Sequence, residues 1–177
     1  MRIAYQQTTQ PEIVSRVRDR YGPEITLLKG MGFAELCFYT EAMLPFSLLL
    51  LFPIVLLMRA QKEVIQIQSP LRIAVCCPIL VAREHATYAV MMGYGVKFYT
   101  NFTDGTGLIS ANFPSFDILD QKGKLYKYAA PQPIAIESAW GLHRDRIESL
   151  RAEGKQVRNR IGFEDFVELS AREDQSA

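Results

Sequence analysis

The sequence lacks an excess of charge of either sign: 20 Lys and Arg stand against 19 Asp and Glu, a formal net charge of +1. That excludes a nucleic-acid binder that works by massed Lys and Arg neutralising phosphates. The chain is also poor in residues that carry metal and acid–base chemistry. It has two histidines, His85 and His143, and three cysteines, Cys37, Cys76 and Cys77. An odd count with one adjacent pair is a poor disulfide framework. Neighbouring strand residues point to opposite faces, so Cys76 and Cys77 do not serve one bridge or one metal. Three reduced, apolar thiols are the expectation, and with them a reducing, cytoplasmic environment. The N-terminal MRIAYQQTTQ holds no apolar core of a signal peptide, so none is expected.

Motifs are missing too. No His, Cys and carboxylate stand together at metal-ligand spacing. There is no Gly-x-Ser-x-Gly elbow, no dinucleotide fingerprint, no His-Glu-x-x-His, and no glycine-rich run leading into Lys-Ser or Lys-Thr. Gly93, Gly95, Gly105 and Gly107 read as turn and bulge positions. The side chains of Glu84 and His85 diverge in an extended segment. No catalytic, cofactor-binding or metal-binding residue is therefore assigned, no cofactor is expected, and the chain is expected not to be an enzyme.

What the chain does have is one uncharged run, AMLPFSLLLLFPIVLLM, from Ala42 to Met58. Leu48 to Phe52 would cover every side of a helix, and an all-round apolar helix is either buried in a core or set in a membrane. A chain of this size has little core in which to bury one. The reading is a hydrophobic, membrane-associated helix. About 17 residues reach roughly 25 Å, short of a full hydrocarbon core. Both a single span and a re-entrant segment, bent at Pro53, therefore stay open. Its expected membrane contacts are Leu44, Phe46, Leu48, Leu49, Leu50, Leu51, Phe52, Ile54, Val55, Leu56 and Leu57. Arg59, Lys62 and Arg72 follow the run closely while Lys29 precedes it, which sets the C-terminal side in the cytoplasm.

Three regions result: a helical extension with a short strand (1–41), the hydrophobic segment (42–60) and a compact α+β domain (61–177). In the first, Thr8 and Thr9 before Gln10-Pro11 signal a helix start, with Ile13, Val14, Val17 and Tyr21 as its apolar stripe. Gly22-Pro23 is expected to break it, leaving a second short helix over Glu24–Lys29, then a strand in FAELCFYT. In the third, strands are expected in Val64–Gln68, Arg72–Ala82 and Ala86–Met92. Asp104-Gly105 reads as a two-residue type I′ turn, which pairs Val96 with Phe113, Phe98 with Ala111, Thr100 with Ile109 and Phe102 with Gly107. That register sorts an apolar face from a polar one carrying Lys97, Tyr99 and Ser110. The fold expected is α+β: an antiparallel meander of three to five strands with N-terminal and C-terminal helices, plus the membrane-associated helix. Residues 114–133 read as a turn-rich connection. A helix from Pro133 to Glu153 shows one face of Ile136, Trp140, His143, Ile147 and Leu150, and a short one covers Phe163–Leu169.

Arg144, Arg146, Arg151, Lys155, Arg158 and Arg160 fall in one stretch, offset by Asp145, Glu148 and Glu153. Arg59, Lys62, Arg144, Arg151 and Arg158 are the expected contacts to headgroups or a partner subunit. The functional expectation is a membrane-anchored, non-enzymatic accessory or structural subunit of a larger membrane complex, with its α+β domain on the cytoplasmic face. Its partners would be the membrane and other subunits, with no nucleic acid. The alternative is a soluble small-molecule binding protein or enzyme whose hydrophobic helix closes on the sheet, with a site near Tyr99, His85 and His143.

Overall fold

The structure, a computed structural model, describes residues 4–43, 64–69, 72–114 and 125–175. Strand β1 (Ala4–Thr8) leads into helix α1 (Pro11–Gly30) and strand β2 (Ala34–Met43). Then come β3 (Val64–Ser69), β4 (Arg72–Ala82), β5 (Thr87–Met92), β6 (Gly95–Asn101), β7 (Gly107–Ala111) and β8 (Leu125–Ala129). Two helices close the chain, α2 (Ile136–Ala152) and α3 (Phe163–Gln175).

All these strands form one mixed sheet in the order β1-β2-β4-β5-β6-β7-β8. The long β4 shares one edge between two partners: Arg72–Cys76 pairs with β3 and Ile79–Ala82 with β5. Neighbours are antiparallel except β7 and β8, which run parallel.

Both faces are covered. On one, Phe38, Cys76, Leu80, Ala89, Met91 and Phe98 meet the stripe Ile13, Val17, Tyr21, Ile25 and Leu28 of α1, together with Trp140 of α2. On the other, Tyr39, Cys77, Ile79, Val81, Val90 and Tyr99 meet Phe166 and Leu169 of α3. Strands buried on both faces read as unbroken apolar runs, which is why β4 and β5 show no alternation. Cys76 and Cys77 take opposite faces, as adjacent strand residues must, and all three cysteines are free thiols.

The expected fold is corrected in several respects. The sheet is neither a meander nor limited to three to five strands: β1, β2 and the parallel β8 belong to it. The residues 114–133, read as a connection only, contain β8. The membrane-protein and transmembrane-helix reading is overturned as well. No helix among the described residues is long and apolar enough to cross a membrane, and Ala42 and Met43, the first residues of the apolar run, close strand β2. The remainder of that run lies outside the described residues.

Helix α1 does not stop at Gly22-Pro23 but continues to Gly30. Proline removes one backbone donor. The buried Tyr21, Ile25 and Leu28 straddle that gap, so tertiary packing carries the helix across it.

The β6–β7 hairpin differs from its expected register by one residue. Phe98 pairs with Ser110, Tyr99 with Ile109 and Thr100 with Leu108. A type I′ turn needs positive φ at both central residues. Gly105 has φ +82°, while Asp104 is not among the positive-φ residues. The loop instead holds three residues, Thr103 to Gly105, with Gly105 N–H donating to the Phe102 carbonyl and Phe102 N–H to the Thr106 carbonyl. An added Cβ at Gly105 meets open space, so Gly105→Ala isolates the backbone cost. A loss of about 1–2 kcal/mol in urea unfolding is expected, and no loss would refute this loop geometry.

Candidate functional site

The titratable group most deeply enclosed on the α1–α2 face is His143. Its position on α2, three residues after Trp140 and four before Ile147, turns it onto the sheet, where it is 0% exposed. Residues two apart on a strand share a face, so Thr100 and Phe98 of β6 lie under it, and Ser110 of β7 pairs with Phe98. His143 Nε2 lies 3.0 Å from Thr100 Oγ1, and Nδ1 lies 2.8 Å from Ser110 Oγ. Thr100 Oγ1 lies 2.7 Å from Thr87 Oγ1. Thr87 donates to the His85 carbonyl and Arg146 donates to Ser110 Oγ at 3.2 Å.

Donor counting gives the chain a direction. Thr87 spends its proton on the His85 carbonyl, so it accepts from Thr100. Thr100 then accepts from His143 Nε2–H. His143 Nδ1 is left bare and accepts from the Ser110 hydroxyl, which accepts in turn from Arg146. Every buried donor is satisfied. The reverse direction leaves the Ser110 proton without a place, a cost of about 1–3 kcal/mol in a buried site. Burial, with the Arg146 cation and His85 adding to it, holds His143 far below its ordinary value, at about 3. It is a neutral imidazole.

Arg146 sits at the open end of this chain. It is half-buried, burial lowers it from the usual guanidinium value, and its guanidinium lies 4.0 Å over the Tyr128 ring. Among the described residues no carboxylate pairs with it. It opens onto a cleft of about 200 Å³ at the C-terminal ends of the parallel strands. Ala111 of β7 and Ala129 of β8 form one wall, Pro131 and Ile134 the end, and Ala139 and Leu142 of α2 the other wall.

The opposite face holds a second polar group. Lys97 Nζ donates to Glu173 at 2.8 Å, and Tyr99 Oη to the same carboxylate at 2.9 Å. Tyr88 Oη and Asn101 Nδ2 donate to Asp165 Oδ2, both at 3.1 Å. Burial pushes the Tyr88 and Tyr99 phenols up. These bonds seat α3.

Of the residues expected to form a site, His85 and His143 both stand against Trp140, while Tyr99 lies apart from them. Tyr99 points to α3 on one face of the sheet, and His143 of α2 packs onto the other. His85 stands edge-on to Trp140, ring centroids 5.5 Å apart, with its Nδ1 buried and unpartnered. Of the expected basic contacts, Arg144 lies 5.7 Å over Trp140 and Arg151 pairs with Glu148 at 2.7 Å. Arg158 pairs with Glu168 at 3.0 Å and Asp165 at 3.2 Å. Arg59, Lys62 and the expected membrane contacts from Leu44 to Leu57 lie outside the described residues. Sequence reasoning did not single out Ser110 and Thr100, whose only signal was the polar interruption of otherwise apolar strands, and it placed Arg146 merely in the basic stretch of α2. Among the described residues no cluster of three or more His, Cys, Asp or Glu is placed to hold a metal ion.

Comparison with known proteins returns nothing: no family model matches the chain, and no curated protein or solved structure matches it.

Proposed function

We propose that the chain acts by binding rather than by catalysis, as a non-enzymatic accessory subunit of a larger assembly. The observation that supports this reading is the state of His143. A general base works best with a conjugate-acid pKa near the working pH. His143, held at about 3, is a weak proton acceptor at neutrality, and both of its nitrogens are engaged. Ser110, its hydrogen-bonded hydroxyl, is itself buried. The pair has the look of a nucleophile and its base, but the basicity is missing.

Surface for a partner is present on the same side. Leu142 and Tyr128 are 46% and 41% exposed, and large apolar residues left at the surface near one another suit protein contacts. The membrane forms no part of this reading.

Two measurements test it. Cross-linking at native abundance, followed by size-exclusion chromatography, is expected to find the chain joined to other polypeptides; a monomer alone overturns the subunit reading. A serine-directed fluorophosphonate is expected to leave the chain unlabelled, and labelling at Ser110 overturns the non-enzymatic one.

A further inference from the structure

The cleft beside Arg146 has a chemistry of its own, separate from the accessory role. Its walls are methyl and methylene groups of Ala111, Ala129, Pro131, Ile134 and Leu142. Its polar groups are the Ser110 hydroxyl and the Arg146 guanidinium. Ser110 is already committed, giving its proton to His143 and accepting one from Arg146. Arg146 is not: one N–H goes to Ser110, one face rests on Tyr128, and no carboxylate among the described residues stands at ion-pair distance, the neighbouring Asp145 acting on it only through space. A half-buried cation with open donors against apolar walls is an incomplete pair.

We propose that this cleft binds a small monocarboxylate with a compact apolar body. The guanidinium edge takes the two carboxylate oxygens in the planar, two-pronged geometry that suits arginine, while its face stays on Tyr128. Ser110, locked by His143, fixes the orientation of the fork. The carbon chain lies along the alanine wall. A cleft of about 200 Å³ has room for about seven water-sized groups, which matches acids of four to six carbons, roughly. One cation among apolar walls balances one negative charge; a dianion such as phosphate would bring a second charge with nothing to meet it.

The test uses the full chain and calorimetric titration with the sodium salts of acetate, butyrate, hexanoate and decanoate. Inorganic phosphate and hexanamide serve as the charge and shape controls. Affinity is expected to rise from acetate to hexanoate and fall at decanoate, with hexanamide weaker by about tenfold or more and phosphate silent. Arg146→Gln is expected to lose about tenfold or more of hexanoate affinity. Ala129→Leu fills the cleft without touching the hydrogen-bond chain and is expected to abolish binding at an unchanged thermal midpoint. It decides the matter if Arg146→Gln fails to fold. Absence of saturable binding up to about 10 mM of every acid overturns the proposal. So does equal binding of hexanoate and hexanamide, or unchanged binding in Ala129→Leu. Tighter binding of a short peptide's free C-terminus than of any acid reassigns the cleft to a protein tail and overturns it as well.

Discussion

Lys97→Met is expected to cost about 3–5 kcal/mol of unfolding free energy. Lys97 and Glu173 are joined at 2.8 Å with side chains 7% and 9% exposed, between β6 and the C-terminal half of α3. Removing the ammonium leaves a carboxylate in a site where water cannot replace its partner. The desolvation already spent on two charges is what makes the single change so damaging. The same physics gives the double variant a different outcome. Lys97→Met with Glu173→Leu removes both charges, keeps apolar volume, and is expected to recover more than half of the loss. What stays lost is the Tyr99 hydroxyl, which donates to Glu173 at 2.9 Å and is then a buried donor worth about 1–3 kcal/mol. Adding Tyr99→Phe is expected to recover that remainder. Urea unfolding of the four proteins, with equal m-values, is the measurement. A single variant within about 1 kcal/mol of wild type would show that the pair behaves as a solvated surface bridge.

The pair also explains how α3 is held in one place. Phe166 and Leu169 supply apolar area, but area is non-directional and would be buried almost as well one turn along. Lys97 with Glu173, and Tyr88 and Asn101 with Asp165, fix the position at two points two turns apart. Arg158 and Arg172 add outer ties, to Glu168 and Asn101. Polar groups under this helix set its register, and apolar ones set its stability.

How much of this was legible in the sequence follows from what each pattern encodes. The stripe of α2 was readable, since Trp140, His143, Ile147 and Leu150 recur at helical spacing and all four are buried. The strand β3 was readable from its apolar residues interleaved with Gln66 and Gln68, and β4 and β5 as apolar runs between turn residues. Partner choice was not: nothing local in LYKYA says that β8 lies parallel to β7 rather than in a loop. The Asp104-Gly105 dipeptide is common to two loop geometries, and choosing the shorter one moved the register by one residue. That single step put Ser110 on the face of Tyr99, away from Thr100, so the chain of hydroxyls converging on His143 disappeared from view. With Phe98 opposite Ser110, Thr100 and Ser110 share a face and flank the imidazole. The apolar run was conspicuous, yet a run of uncharged residues specifies burial and not the shape that achieves it; its first two residues finish a strand.

Acid is expected to weaken the fold through His143 itself. In the unfolded chain an imidazole takes its proton near 6.5; in the fold, burial under α2, with the Arg146 cation and His85 facing the ring, delays that to about 3. Below 6.5 the unfolded state therefore binds more protons than the folded one. Stability is fully present above that value and falls as the pH falls, by about 1.4 kcal/mol per unit at most, until the folded pKa is reached. The total is roughly 4–5 kcal/mol, a large share of the stability of a typical domain. His143→Gln separates this effect from the carboxylates that also titrate there. The amide can accept from Ser110 and donate to Thr100, so the hydroxyl chain keeps its direction, but nothing titrates. At pH 7 the variant is expected to be less stable by about 1–3 kcal/mol, the cost of imperfect fit in a buried network. Toward pH 4 the gap closes and then reverses, because wild type alone loses the histidine contribution while losses from distant carboxylates are common to both. Urea unfolding of both proteins between about pH 7 and pH 4 reads the difference directly. Parallel curves would mean that His143 takes its proton in the fold as readily as in the unfolded chain; Nδ1–H would then donate to Ser110 and that one link would turn, while Nε2–H would still donate to Thr100.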